Sequence, residues 1–177
     1  MGIQRKAWVL KETGKPLVEE SLELEDPAPS DVIVEVEACG LCHTDLGFAE
    51  GGVAPRMGLP IVLGHEVVGT VRAAGERYAA LVGQKVLVPS VMPCGDCPFC
   101  RAGRGNACLK QKMPGNDING GFGTHLVAPG ASMVSLADAP ASVKTDSLSV
   151  VADAVNTAYQ AVQRSGLKAG DVAFVVG

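Results

Sequence analysis

Aromatic residues are scarce in this chain, with one Trp, two Tyr and four Phe among 177 residues. Strong charge of either sign is also missing: 15 Lys and Arg face 19 Asp and Glu, a net charge of −4, and no basic cluster stands out. A nucleic-acid surface is built from clustered cations and stacking rings, so nucleic acid and anionic membrane are excluded as main partners. No apolar run is long enough to span a bilayer, and the opening MGIQRKAWVLKETG lacks the apolar stretch of a secretory signal. What the sequence does have is 47% hydrophobic residues, which is enough for a buried core. It also has 22 Gly and 11 Pro, which suit short strands joined by tight turns. Six cysteines without a secretory signal read as metal ligands in a reducing compartment, so cytoplasm is the expected location.

Four of those cysteines fall in PCGDCPFCRAGRGNAC. Cys94, Cys97, Cys100 and Cys108 are spaced C-x2-C-x2-C-x7-C. Four thiolates at such spacing fit a closed tetrahedral zinc site, which is architectural and leaves no position for substrate. Gly95, Pro98, Gly103 and Gly105 give the intervening chain the turns it needs. The quartet alone also allows a non-catalytic, zinc-stabilised interaction domain. Upstream, GLCHTD at 40–45 and GHE at 64–66 offer Cys42 and His65, one thiolate and one imidazole.

Period-two alternation predicts short strands in IQRKAWVL, PLVEESLEL and DVIVEVEACG. Val32, Val34 and Val36 lie on one face of the third, with Ile33 interrupting the polar face. CHTDLGFAE reads as one or two helical turns. IVLGHEVVGTVRAAG is β-rich and broken at Gly64 and Gly69, GQKVLVP is another strand, and GGFGTHLVAPGASMVSL holds two more. Near residue 145 the pattern changes. TDSLSVVADAVNTAYQAVQRSG predicts one helix, capped by Asp146 and stopped at Ser165-Gly166. Val172–Val176 then reads as a buried parallel strand that meets Gly177 at the mouth of a phosphate loop.

GLCHTD, LGHEVVGTV, the cysteine lobe and GGFGTHLV, in this order, resemble the zinc-dependent medium-chain alcohol dehydrogenases. The resemblance implies a mainly β, GroES-like catalytic domain over 1–145. Over 146–177 it implies the first helix and strand of a Rossmann domain that binds NAD. It implies two zinc ions, one structural and one catalytic. Cys42 and His65 match the first two catalytic ligands, and Asp153 stands where the third usually lies. Glu66 matches a glutamate able to approach the metal, and Asp45 matches the carboxylate that orients the ligating histidine. Thr44 takes the hydroxyl position that receives the substrate proton, and His43 lies near the cofactor phosphates. Thr157 lines the nicotinamide pocket, and Gly177 opens the phosphate loop. Gly47 replaces the histidine that many members place at the solvent end of the proton relay. Cys39 and His125 are read as structural.

The implied reaction is NAD-linked oxidation of a secondary alcohol to a ketone, in a homodimer or homotetramer. MPGNDINGGFGTHLVAPG with AEGGVAPRMGLPIVLGHE resembles the branch that oxidises an alicyclic hydroxyacyl-CoA thioester. A simple secondary or aromatic alcohol is the alternative substrate.

Overall fold

The computed structural model describes residues 2–176. Two antiparallel sheets carry the chain. The smaller has the order β2-β1-β4, from Ile3–Leu10 (β1), Val18–Leu24 (β2) and Ile61–Val62 (β4). The larger has the order β7-β3-β5-β6-β8, from Asp31–Gly40 (β3), Glu66–Ala74 (β5), Lys85–Val88 (β6), His125–Pro129 (β7) and Val134–Ser135 (β8). The expected mainly β architecture is present, and every expected strand before residue 136 forms.

Alternation dictates which side chains go inside. Val32, Val34, Val67, Val71, Val86, Val88 and Leu126 are buried together under the larger sheet. Ile33 is 1% exposed, so the residue that interrupts the polar face of β3 is covered as well. The pairing of β3 with β5 shifts register between Ile33 and Val34 and again between Val36 and Ala38. Such bulges bend a strand and re-aim its side chains. A second cluster of Leu10, Phe48, Ile61 and Leu63 fixes the helix His43–Glu50 (α1) against the smaller sheet. Cys39 packs against the first cluster, and Phe48 and Leu63 belong to the second, so both reach chain close to Cys42 and His65.

Gly64 separates β4 from β5 with φ +96°, where L side chains are strained. A Cβ there would meet Phe122 and the Cys39 sulfur. The expected break at this glycine is therefore a tight turn that delivers His65 to the interior.

Two expectations near the C-terminal end are corrected. The single helix from Asp146 is instead a 3-10 helix, Asp146–Ala152, followed by an α-helix, Ala154–Ser165 (α3), with Asp153 between them at φ −138° and ψ −71°. Asp competes with the backbone for hydrogen bonds and suits a helix boundary better than a helix interior. Asp146 does not cap that turn from the preceding position. Its Oδ1 accepts from the Ser147 N–H at 2.7 Å, one residue on. The stop holds, since Gly166 adopts φ 74° after Ser165. The second correction concerns Val172–Val176, which forms no strand. Val172 is 94% and Phe174 91% exposed. A parallel strand needs hydrogen-bonded neighbours and cover on both faces, and the described residues supply neither. The expectation for Gly177 lies outside the described residues.

Candidate functional site: two metal-ligand clusters

Asp45 organises the first cluster. It is 1% exposed and lies in the first turn of α1. Its Oδ2 accepts from the Cys42 N–H at 3.0 Å, which closes the start of the helix. Its Oδ1 accepts from the Gly64 N–H at 3.0 Å and lies 3.4 Å from His65 Nδ1. One carboxylate thus links the Cys42 turn, the Gly64 turn and the imidazole ring. A carboxylate so placed is able to orient the ring.

His65 is fully buried, and neither ring nitrogen has a hydrogen-bond partner among the described residues. A buried unpartnered polar atom is costly and calls for a ligand. Nε2 lies 3.3 Å from Asp153 Oδ2, and Cys42 Sγ lies 3.9 Å from the same oxygen. The three donor atoms are all within 4.8 Å of one another. Ligands at about 2.0–2.3 Å from zinc define tetrahedral edges of about 3.3–3.8 Å. Sulfur, nitrogen and carboxylate oxygen are also the donors zinc prefers, so these residues fit a zinc ion with a fourth position open. Without metal, burial lowers the basicity of His65, but Asp45 and Cys42 outweigh it and raise its pKa to about 9.

Glu66, also buried, is not in this cluster. Its Oε1 accepts from the Ala154 N–H at 2.9 Å, so it caps α3 from 88 residues away, right after Asp153. In this structure the Glu66 side chain, expected to be able to approach the metal, is engaged with the backbone that positions Asp153. Asp153 Oδ1 accepts from the Thr157 hydroxyl at 2.6 Å, leaving Oδ2 for the cluster. Asp153 and Thr157 line a cleft of about 390 Å³ with Pro89, Ser90, Val91 and Asn156. Ser90 and Asn156 were not anticipated. Ser90 Oγ donates to the Ala152 carbonyl at 3.0 Å, across a separation that no local pattern reveals. Thr44 is exposed, with Oγ1 3.8 Å from Cys42 Sγ, and His43 begins α1 on the surface. Gly47 has open space around its α-carbon.

The second cluster is the cysteine lobe. All six cysteines are free thiols. The quartet sulfurs lie 3.5 Å (Cys97–Cys100), 3.9 Å (Cys97–Cys108) and 4.0 Å (Cys94–Cys100) apart, against about 3.8 Å for an all-sulfur zinc tetrahedron. Two of the four thiols, Cys97 and Cys108, are biased toward the thiolate, while Cys94 and Cys100 are pushed the other way, Cys100 chiefly by burial. Backbone N–H groups of Cys94 and Lys110, each 3.3 Å from Cys108 Sγ, hold that thiol below its usual value. N–H groups of Cys100 and Leu109 bring Cys97 down to about 6. Cys94 goes the other way, pushed up to about 12 by its 2.8 Å bond to Asp96 Oδ1. Cys39, in contrast, is pushed up to about 12 by burial, which suits the structural role expected of it. His125, also read as structural, sits on β7 with its Nδ1 3.0 Å from Thr124 Oγ1.

A four-sulfur cluster and a Cys-His-Asp cluster thus sit on one β scaffold, each with donor types and spacings that could hold a metal ion. The family model described as "Alcohol dehydrogenase GroES-like domain" matches residues 28–138, and the chain belongs to that family. It is 30% identical over 174 residues to an alcohol dehydrogenase of Geobacillus stearothermophilus, covering 97% of this chain and 51% of the relative. It is 32% identical over 170 residues to D-arabinose 1-dehydrogenase (NADP(+)) of Saccharolobus solfataricus, covering 92% and 46%. Among solved structures, the alcohol dehydrogenase of Aeropyrum pernix superposes with a TM-score of 0.78 at 34% identity, over 90% of this chain and 48% of that one. The chain spans about half the length of the curated relatives it matches. Among the described residues, no helix is long and apolar enough to cross a membrane.

Proposed function

We propose that this chain carries the zinc-binding catalytic half of an NAD-dependent dehydrogenase that oxidises a secondary alcohol to a ketone. The observation that carries the reading is the convergence of Cys42 Sγ, His65 Nε2 and Asp153 Oδ2 within 4.8 Å, around a buried Nε2 that has no hydrogen-bond partner among the described residues. In this reading residues 1–145 are the catalytic domain and 146–177 the opening of the cofactor domain. Cys42, His65 and Asp153 hold the catalytic zinc, and Cys94, Cys97, Cys100 and Cys108 hold the structural one. When bound, zinc supplies Lewis-acid activation of the alcohol oxygen, and NAD supplies the hydride acceptor.

The chain's own residues do the remaining work. Asp45 fixes the His65 ring through Nδ1, so that Nε2 points at the pocket. Glu66 holds the start of α3, and Thr157 holds one Asp153 oxygen, which together aim the other at the site. The Thr44 hydroxyl, beside Cys42, accepts the alcohol proton and passes it on through the cofactor ribose, His43 or water. That route replaces the relay end that Gly47 cannot provide. The cleft bounded by Ser90, Asn156 and Thr157 receives the nicotinamide side of the cofactor.

For the substrate, we favour 6-hydroxycyclohex-1-ene-1-carbonyl-CoA, oxidised to the 6-oxo ketone in anaerobic benzoyl-CoA degradation. Support comes from the MPGNDINGGFGTHLVAPG segment, which resembles 6-hydroxycyclohex-1-ene-1-carbonyl-CoA dehydrogenase. The names of the relatives favour a second reading, a simple alcohol or polyol. The test uses the full-length zinc-loaded enzyme with each class of alcohol and with NAD or NADP, following reduced nicotinamide by absorbance. Faster turnover of cyclohexanol or a sugar than of the thioester would remove the CoA reading. No turnover of any alcohol, with one zinc per chain, would replace the enzyme with an interaction domain.

A further inference from the structure

On the reading that Asp153 is a zinc ligand, we infer that Ser90 is a positioning residue for the open cluster. Its hydroxyl holds the Ala152 carbonyl and so fixes the backbone from which Asp153 reaches the metal. Asp153 does not do what its place in the chain favours. It is the N-cap of α3, yet its side chain makes no capping bond. An N-cap carboxylate ordinarily turns onto its own helix, here onto the N–H of Val155 or Asn156. Asp153 instead accepts at Oδ1 from the Thr157 hydroxyl at 2.6 Å, and its Oδ2 lies 3.3 Å from His65 Nε2. Groups outside the first turn of α3 therefore set the direction of this side chain.

The direction of a Cα–Cβ bond follows from the two peptide planes that meet at the Cα, because each plane is rigid and only φ and ψ are soft. Both planes at Asp153 are held from the larger sheet. In the plane that follows, the Ala154 N–H donates to Glu66 Oε1 at 2.9 Å. In the plane that precedes, the Ala152 carbonyl accepts from the Ser90 hydroxyl at 3.0 Å and from the Ser90 N–H at 3.4 Å. The N–H contact is long for a hydrogen bond, so the hydroxyl is the main hold on that carbonyl. Both pins stand on one support. Val67 of β5 pairs with Val88 of β6, so Glu66 and Ser90 leave the same end of that ladder. Ala152 is buried with the next pair, Val68 and Leu87. His65 directly precedes Glu66, so the ladder that presents the imidazole also sets where the carboxylate arrives. Without the Ser90 hydroxyl the 152–153 peptide can rotate, and the Asp153 side chain is free to turn onto its own helix.

The test is competitive zinc titration of the chain with a chromogenic chelator, for Ser90→Ala and Ser90→Thr and for Ser90→Ala combined with Asp153→Ala. Loss of one hydrogen bond is expected to weaken zinc binding at the open cluster of Ser90→Ala by about three- to tenfold. The closed cluster is expected to bind as in wild type, which also shows that the variant folds. Ser90→Thr keeps the hydroxyl and is expected to stay within about twofold of wild type. In Asp153→Ala, zinc rests on Cys42 and His65, and adding Ser90→Ala is expected to change that weaker affinity by less than about twofold, since Ser90 acts only through the missing carboxylate. A purely structural role would give the same loss with and without Asp153. That result, an equal loss at the closed cluster, an equal loss in Ser90→Thr, or unchanged affinity in Ser90→Ala would remove Ser90 from this role while leaving the zinc site in place. A wild-type chain that takes up one zinc only would overturn the zinc reading and the role of Ser90 together.

Discussion

Glu66 controls Asp153 without belonging to the metal cluster. In Glu66→Ala the Ala154 N–H loses its acceptor, and α3 loses the group that closes its first turn. Losing a helix N-cap costs about 0.5–2 kcal/mol. Asp153 precedes Ala154 directly and holds none of its own side-chain oxygens on the helix N-terminus, so the cost falls on the ligand's backbone. A penalty of about 1–2 kcal/mol on the arrangement that presents Oδ2 lowers zinc affinity at the open cluster by roughly 5–30-fold. The closed cluster lies elsewhere and keeps its affinity. Glu66→Gln retains an acceptor oxygen and is expected to recover most of the loss. The assay is competitive zinc titration with a chromogenic chelator, which resolves the two sites by affinity. Equal affinity of the open cluster in wild type and Glu66→Ala would refute the reasoning. So would an equal loss in the Ala and Gln variants, because charge near the metal would then matter and not the cap.

Asp153→Asn removes the carboxylate ligand while keeping the size of the side chain, and zinc content by atomic absorption is expected to fall from two to one per chain. Cys97→Ser exchanges a thiol already lowered to about 6 for a hydroxyl. The closed cluster is expected to empty and the 94–108 segment to become sensitive to protease, with the open cluster unaffected; retained zinc and protease resistance would contradict this. His65 must be neutral at Nε2 to bind metal, and without metal its pKa is about 9. Below that pH zinc displaces a proton, so this group makes affinity at the open cluster rise by about tenfold per unit from pH 6.5 to 9 and level off above it. A flat profile across that window would disprove the assignment of His65. Hydride transfer by the 177-residue chain alone is expected to be absent at full zinc loading; turnover matching that of the full-length enzyme would mean the cofactor site lies within these residues.

Much of the site could be read in the sequence because its signals are local. The cysteine quartet is encoded by spacing within one loop, and its sulfurs lie at tetrahedral distances. Strands β1, β2 and β3 followed from alternation, and the others from short β-rich runs between glycines. Cys42 and His65 are on separate turns with no spacing rule between them, so only the family resemblance connected them to Asp153. Residues whose roles depend on distant partners gave no signal. Glu66 meets Ala154, and Ser90 meets Ala152, only after the sheet folds back on α3. The apolar run at 172–176 shows the opposite limit: composition suited to a buried strand makes none without neighbours to pair with.

Asp45 gives the open cluster an unequal construction. The turns that present Cys42 and His65 are tied to a single carboxyl group, so a small displacement of one is copied by the other. Asp153 comes in separately, on the far side of a helix break. Two donors therefore travel as a pair and one arrives alone. The distance from Asp153 to that sulfur–nitrogen edge is therefore the dimension of the cluster that the Asp45 carboxylate does not set.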